Sequence, residues 1–346
     1  MDTDVAIIGG GLAGLALAEH LHRVGRDVQL FEARQRLGGR IDALNDGAAF
    51  DLGPSWFWPG QHRMAQLVAR LGLGVFEQYA KGVGVYENVA GALMRAPGLV
   101  SMAGSLRVTG GMTALIAALA RHLPADRIQT GQRVIGIGKG SVTLEQGQIR
   151  ARHIVLALPP RLAAGLRFDT ALPPGAVAAM TAIPTWMAGQ AKVVATYDTA
   201  FWRLAGLSGD AASQRGPLGE IHDASAASGQ PAALFGFVAT PPGQRDNALC
   251  AAALAQLVRM FGPQAATPRQ VVLRDWAADP LTATGADQTP LPGHPAYGLP
   301  RVPGNLWDGT LHLGGSETAA EFGGYLEGAL CAAETVAARL LATPAR

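Results

Sequence analysis

The chain has little of what several large functional classes require. Its two cysteines, Cys250 and Cys331, are too few for a disulfide framework or a cysteine metal site, and both fall in alanine-rich helical stretches where a thiol acts as a small buried hydrophobe. Charged residues make up only 16% of the chain, with a formal net charge of +2. They are scattered, without the basic clusters and interleaved aromatics of a nucleic-acid groove. No apolar run reaches the roughly 18 residues of a membrane span, and the most apolar stretch, Ala248 to Val258, contains Gln256. The start, Met1-Asp2-Thr3-Asp4, is acidic and has no positive leader region, so the expectation is a cytoplasmic protein without a membrane partner. There is no G-x-S-x-G elbow, and none of the eight histidines belongs to an H-E-x-x-H pattern, which argues against classical hydrolases and against a metal site.

What is present is a well-buried globular chain of 346 residues, 49% hydrophobic, long enough for two domains. Its first forty residues carry the most chemistry. An apolar strand pattern, Val5 to Ile8, runs into Gly9-Gly10-Gly11-Leu12-Ala13-Gly14. The glycines at 9, 11 and 14 fit G-x-G-x-x-G, in which a tight turn lets backbone approach a pyrophosphate at a helix N-terminus. An amphipathic helix follows, then a second strand, Val28 to Phe31, closing on Glu32, eighteen residues after Gly14. That is the spacing of a carboxylate that accepts from a ribose 2′-hydroxyl. A negative charge there disfavours NADP, whose 2′-phosphate would meet it.

Beyond Glu32 the run Ala33-Arg34 through Leu37-Gly38-Gly39-Arg40 adds two glycines and two guanidinium candidates, Arg34 and Arg40, the second placed for a charge-assisted grip on a diphosphate. Here the chain resembles the flavin monoamine oxidase family, which implies FAD. The last quarter strengthens the resemblance. Gly315-Ser316-Glu317-Thr318-Ala319 followed by Gly324-Tyr325-Leu326-Glu327-Gly328-Ala329 is similar to that family's G-x-E-T-A…G-Y-x-E-G-A motif. A helix N-terminus at such a junction suits negative charge on the reduced flavin's N1/C2-carbonyl edge.

Between these anchors Asp51-Leu52-Gly53, Ser55-Trp56 and Gln61-x-Arg63 resemble the family's segment passing the flavin ring, with Pro54 in place of a usual glycine. Val134 matches the strand residue on the adenine side, Lys192 with Phe201-Trp202-Arg203 matches K-x(8)-F-W-R, and Trp276 matches the tryptophan beside the flavin. Lys192 lies in an apolar strand pattern, Ala191-Lys192-Val193-Val194. On the residues alone it is either a buried ammonium with a function or a snorkelling or edge-strand charge. The resemblance implies the first: a lysine holding water against flavin N5, its pKa lowered by burial.

The resemblance therefore implies oxidation of a small-molecule amine by FAD and dioxygen. Lys192, Tyr325 and Trp276 take catalytic positions, and Trp56, Trp202, Phe322 and Ala286 the substrate pocket. Three departures matter. One tyrosine of the family's aromatic pair falls at Gly285 or Ala286. The flavin-tethering cysteine is absent from Thr284-Gly285-Ala286, so FAD is expected to be non-covalent. The helical insertion that roofs the pocket is reduced to about residues 74 to 108, which implies a more open pocket or one closed by a second copy in a homodimer. No basic clamp for an amino-acid carboxylate stands at Trp56, which favours amines unless Arg203 or Arg274 faces the flavin.

The expected fold is α/β: a discontinuous Rossmann-type FAD-binding domain (1–74, 108–181 and 279–346) and a smaller α+β substrate domain (75–107 and 182–278) with a mixed or antiparallel sheet. Helices are predicted from Gln61 to Leu71, from Met112 to about His122 and near Asn247 to Phe261, with a last one running to Leu341. Strands are predicted at Ala191 to Tyr197, Ala233 to Val238, Gln270 to Trp276 and Leu311 to Leu313, and a β-meander over Arg127 to Ile149. Residues 74 to 108 read as glycine-rich and poorly periodic. Two alternatives stand beside amine oxidation: an FAD desaturase or oxidase acting on C–C bonds, and a non-catalytic FAD-binding scaffold.

Overall fold

A computed structural model describes every residue except Met1, Val100, Pro290, Leu299, Pro300, Gly304 and 343–346. The apolar run at the start forms the strand Thr3–Ile8, flanked by Val28–Glu32 on one side and Gly147–Leu156 on the other, both parallel to it. Its residues Val5, Ala6 and Ile7 are fully buried, as a parallel strand covered on both faces requires. Ile128–Thr130 extends the sheet beyond Val28–Glu32, and Leu311–Leu313 pairs in parallel with the end of Gly147–Leu156. The helices Leu12–Arg23, His62–Arg70, Met112–Ala120 and Leu326–Leu341 supply apolar residues to one face. Trp307, Met180 and the strand Val134–Gly138 cover the other.

Gly14 shows why the opening turn needs glycine. A Cβ there would lie 2.0 Å from the Gly9 carbonyl oxygen and 3.2 Å from the Ala157 Cβ, so any side chain would prise the first helix off the sheet. Gly9 itself sits at φ +113°, in the region that L side chains rarely enter.

The second sheet has seven strands in the order Gln270–Asp275, Ala191–Tyr197, Ala232–Val238, Leu218–Asp223, Leu207–Ser213, Val83–Glu87 and Leu93–Ala96. All pairs are antiparallel except Leu207–Ser213 with Val83–Glu87. Alternation along Ala191–Tyr197 sorts its faces. Ala191, Val193, Ala195 and Tyr197 pack with the helix Leu249–Phe261, so Lys192 and Val194 take the opposite face, where Val194 meets Phe50, Trp56 and Phe235.

Several sequence expectations change. The segment 74–108 is not irregular: it holds Val75–Glu77, Val83–Glu87, Leu93–Ala96 and Leu106–Val108. Val75–Glu77 and Leu93–Ala96 are largely exposed, Val83–Glu87 and Leu106–Val108 bury Glu87 and Arg107 among their apolar residues, and turn glycines at positive φ lie between the strands (Gly82, Gly91, Gly98, Gly104), which leaves no apolar period to read. Ile128–Thr130 joins the parallel sheet rather than a meander, and the last meander segment, ending at Ile149, runs on as the continuous strand Gly147–Leu156. Leu207–Ser213 and Leu218–Asp223 carry no sequence signal strong enough to mark them. Among the described residues, no helix is long and apolar enough to cross a membrane.

Gly14→Ala is expected to cost about 1–3 kcal/mol, the range for overpacking. Gly285→Ala, where a Cβ meets nothing within 4 Å, should be close to neutral. Urea unfolding of the two variants measures the difference, and equal midpoints would refute the packing argument.

Candidate active site

A cavity of about 570 Å³ lies between the two sheets. Along its glycine-rich wall a pair of helices opens onto it without a side-chain cap: Leu12–Arg23, capped by the backbone of Gly11, and Leu326–Leu341, capped by that of Tyr325. Free N–H groups and the positive end of each helix dipole therefore face the same space. A Cβ on Gly11 would meet only the Gly38 carbonyl at 3.9 Å, so its backbone is open to a ligand. The Glu32 carboxylate is 4% exposed and accepts from the N–H groups of Gly10 and Arg34, both at 2.8 Å. It keeps lone pairs for hydroxyl donors. Arg34 is tied to Asp279 at 2.9 Å and Thr282 at 3.0 Å. These are the features that fit an adenine dinucleotide carrying a free ribose.

Arg40 reaches the cavity, but its guanidinium donates to Glu317 Oε1 at 2.8 Å, Ser316 Oγ at 3.2 Å and the Trp186 carbonyl at 3.2 Å. Its charge is shared with a fully buried carboxylate rather than left free for a diphosphate. Ser316–Thr318 is a 3-10 turn, and the helix begins ten residues later than Ser316, at Leu326. The glycines in between serve packing: a Cβ on Gly328 would lie 2.1 Å from the Phe322 carbonyl oxygen.

The segment 51–56 makes the cavity's other wall. Lys192, 2% exposed, donates to the carbonyls of Asp51 (3.1 Å) and Gly53 (2.7 Å) and to Ser55 Oγ (2.9 Å), and its Nζ sits 3.9 Å from the centre of the Phe235 ring. Burial pulls its pKa down to about 7, with Asp51 opposing and Arg107 adding to the shift. As an ammonium it uses all three N–H donors on these partners. As a neutral amine it frees its lone pair, which a hydroxyl such as that of Ser55 satisfies. Trp276 Nε1 donates to the Leu52 carbonyl at 3.0 Å, and Arg274 stacks 4.0 Å over the indole. Gly53 is required there, since a Cβ would lie 1.9 Å from the Arg40 carbonyl oxygen. Trp56 Nε1 donates to Gln78 at 2.8 Å, so the segment 74–108 fixes its orientation. Tyr325 stacks on His294, 4.8 Å between centroids, and stands edge-on to Trp58.

Lys192, Trp276, Tyr325, Trp56, Gly9, Gly11, Ala13, Glu32, Arg34, Gly38, Gly39, Arg40, Gly53, Pro54, Ser55, Gly315, Ser316 and Glu317 all line the cavity. Six expected residues do not. Gly14 lies behind the turn, against Gly9. Trp202 is fully buried beneath the second sheet, its Nε1 donating to Asp223 at 2.8 Å; this motif neighbour of Lys192 is a core residue. Phe322 is 45% exposed at φ +51°, a turn residue whose backbone rather than ring is used. Ala286 sits in the exposed turn Gly285–Asp287. Val134 packs in the core beside Val142 and Ile154. Thr318 turns back to donate to the Gly315 carbonyl at 2.8 Å.

The cavity also uses residues that the sequence reading missed, chiefly Trp58, Met102, Trp186, Gln190, Glu220 and Phe237. Trp58 was legible, because Trp56 and Trp58 alternate with the buried Phe57 in an extended segment. Phe237 and Glu220 became visible only with the strand register. Arg203 is locked on Asp223 (2.7 and 2.9 Å) and Arg274 on Asp279 (2.6 Å). Neither lines the cavity, so neither offers a carboxylate clamp.

A lysine whose folded pKa is about 7 against an ordinary 10.5 binds fewer protons folded than unfolded between those values. Stability contributed by this site therefore rises with pH across that window. Urea unfolding from pH 6 to 11 is expected to show the rise in the wild type and its loss in Lys192→Met; parallel profiles would refute the burial argument.

Residues 93–341 match the family described as flavin containing amine oxidoreductase, and residues 7–71 match an NAD(P)-binding Rossmann-like domain. A Mycobacterium tuberculosis protein named as a putative flavin-containing monoamine oxidase, AofH, is 26% identical over 459 aligned positions, covering 98% of this chain and 96% of its own. That alignment is much longer than the 346 residues here, so the relative carries a large amount of sequence that this chain lacks. A putrescine oxidase of Kocuria rosea is 40% identical over 87 residues, 25% of this chain and 18% of that protein. A solved putrescine oxidase bound to putrescine superposes with a TM-score of 0.82 at 23% identity, covering 99% of this chain and all of the other, a likeness of fold. With the family match spanning most of its length, the chain belongs to the flavin-containing amine oxidoreductases and is an FAD-dependent oxidoreductase.

Proposed function

We propose that the protein oxidises the C–N bond of a small amine with non-covalent FAD and passes the electrons to dioxygen. The observation that carries this reading is Lys192, buried on the cavity face of the second sheet against the Phe235 ring and held by three oxygen acceptors. When bound, FAD supplies a two-electron acceptor: a hydride leaves the amine α-carbon, the resulting imine is hydrolysed to a carbonyl product and ammonia or a smaller amine, and dioxygen takes two electrons and two protons to become hydrogen peroxide.

The chain's own residues set the conditions. Trp276 is held in place by the Leu52 carbonyl and by Arg274, so it presents a fixed indole face. Trp56, Trp58, Phe237 and Tyr325 make the adjoining wall apolar, which disfavours an ammonium at the reacting nitrogen and selects the neutral amine. With a pKa of about 7, Lys192 holds or gives up a proton at Nζ near neutral pH, in reach of Ser55 Oγ. That suits proton delivery during electron transfer to dioxygen. With Arg203 and Arg274 both paired away from the cavity, amines are favoured over amino acids. Cys250 and Cys331 are both off the cavity wall, which supports an untethered flavin.

Anaerobic mixing of the yellow protein with an amine panel is expected to bleach the flavin, and admission of air to restore it with stoichiometric peroxide. A flavin that no amine reduces would point to the scaffold reading. Lys192→Met is expected to slow reoxidation by dioxygen by about 10²-fold while amine bleaching persists, read by stopped-flow absorbance. An unchanged reoxidation rate would remove the lysine's assigned role.

A further inference from the structure

Lys192 is enclosed on every side. Its ammonium donates to the carbonyls of Asp51 and Gly53 and to Ser55 Oγ, while the centre of the Phe235 ring lies 3.9 Å from Nζ and that of Phe237 5.6 Å. An ammonium has three N–H donors and no lone pair, so none is left for a molecule in the cavity. The family resemblance implied a lysine that holds a water directly. Here the protein's own oxygens occupy all three donors.

The three acceptors do not offer the same way out. The carbonyl oxygens of Asp51 and Gly53 accept a hydrogen bond but have no proton to pass on, whereas a hydroxyl both accepts and donates. Ser55 is 3% exposed and lines the cavity. Among the hydrogen bonds of the described residues its hydroxyl occurs only as the acceptor from Lys192, so its own O–H proton meets no acceptor in the protein. Buried donors are nearly always paired, and this one belongs to the cavity wall. Its neighbours hold it there: Pro54 has a locked φ, and the Trp56 indole is tied to Gln78. The charged groups that act on Lys192 are Asp51 and Arg107. Both are buried and neither lines the cavity, which removes them as alternative exits.

Resting on the amine-oxidation reading, we propose that Ser55 is a catalytic residue whose hydroxyl is the port through which the Lys192 proton reaches the oxygen being reduced in the cavity. Each hydrogen peroxide takes two electrons and two protons, of which the electrons and one proton come from the reduced flavin. The second proton leaves Ser55 Oγ for the oxygen, and the O–H bond is replaced in the same step by one formed with a proton from Lys192 Nζ, so no alkoxide is left. The lysine becomes a neutral amine, with two N–H groups on the carbonyls of Asp51 and Gly53 and its lone pair on the hydroxyl. A proton from water entering the emptied cavity returns by the same route.

The test reduces the purified flavoprotein with stoichiometric dithionite, which makes it independent of any amine, and mixes it with dioxygen in a stopped-flow instrument. Ser55→Ala is expected to slow reoxidation by about 10²-fold, as far as Lys192→Met does. Ser55→Cys, of similar size but a weak donor and acceptor, is expected to be slow as well, and Ser55→Thr, which keeps a hydroxyl, to stay within a few-fold of the wild type. Residues that act in series behave as a unit, so the double variant Ser55→Ala/Lys192→Met is expected to be no slower than either single one. Urea unfolding of the same proteins supplies a readout without oxygen. Losing one of three acceptors loosens the proton on Lys192, so the rise of stability with pH should begin lower in Ser55→Ala than the wild-type value of about 7. Wild-type reoxidation in Ser55→Ala, multiplying losses in the double variant, or an unshifted onset overturns the relay. A flavin that no amine bleaches but whose reoxidation follows this pattern would remove amine oxidation and keep the relay; amine bleaching with equal reoxidation in Ser55→Ala and wild type would do the reverse.

Discussion

A buried ammonium must be given oxygens or it will not stay charged, and meeting that demand joins the two halves of this molecule. Lys192 belongs to the second sheet, whereas the carbonyls of Asp51 and Gly53 and the hydroxyl of Ser55 belong to a short segment that follows the nucleotide cradle. The same segment receives the indole N–H of Trp276 on the Leu52 carbonyl, packs Gly53 against Arg40, and through the Asp51 carboxylate accepts from the N–H of Met112. This one stretch of chain thus carries the cofactor cradle, the second sheet and the helix Met112–Ala120. Its order in sequence, glycine where backbone is crowded and serine where an acceptor is needed, follows from that load.

The charge around this junction is arranged in buried opposites rather than excluded. Arg107, 5% exposed, donates to the carbonyls of Ala224 and Ser225 and lies over the Phe76 ring, while Asp223 anchors Trp202 and Arg203 from the same strand end. Buried polar groups of this kind cost stability unless every one is bonded. They hold the segment 74–108 against the sheet where its own apolar area would not. Gln78, bridging the Trp56 indole and the Asp223 carbonyl, is the same principle with a neutral side chain.

Much of this was legible in the sequence, for reasons that differ by region. The glycine turn, Glu32 and the strand around Lys192 are local: spacing along the chain fixes spacing in space, so the pattern announced both fold and cofactor. Trp276 and Tyr325 were recognisable through a resemblance and landed on the cavity. Trp202 was misplaced because adjacency in a motif says nothing about which face of an element a ring takes, and burial beneath the sheet decided it. Phe322 failed because its turn uses the backbone and releases the ring to solvent. Glu220 was invisible because its direction depends on one inserted residue in a strand pair, and register is a property of two segments rather than one. The strands within 74–108 escaped notice because the exposed Val75–Glu77 and Leu93–Ala96 carry little hydrophobic alternation, and Val83–Glu87 and Leu106–Val108 bury a charged residue each, Glu87 and Arg107, where the pattern would need an apolar one.

Because strands of the second sheet and the loop after its outermost pair line the cavity, cavity wall and sheet edge are one structure. Val83–Glu87 and Leu93–Ala96 extend the sheet as its outermost pair, and the loop after them brings Met102 to the cavity and Ser101 to Glu220. Among the described residues no backbone hydrogen bond ties the glycine turn to these strands, so the edge is free to lengthen, shorten or change its loop while the flavin chemistry is left alone. In a lineage of such enzymes this edge is the place where new substrates would be acquired most readily, one loop residue at a time.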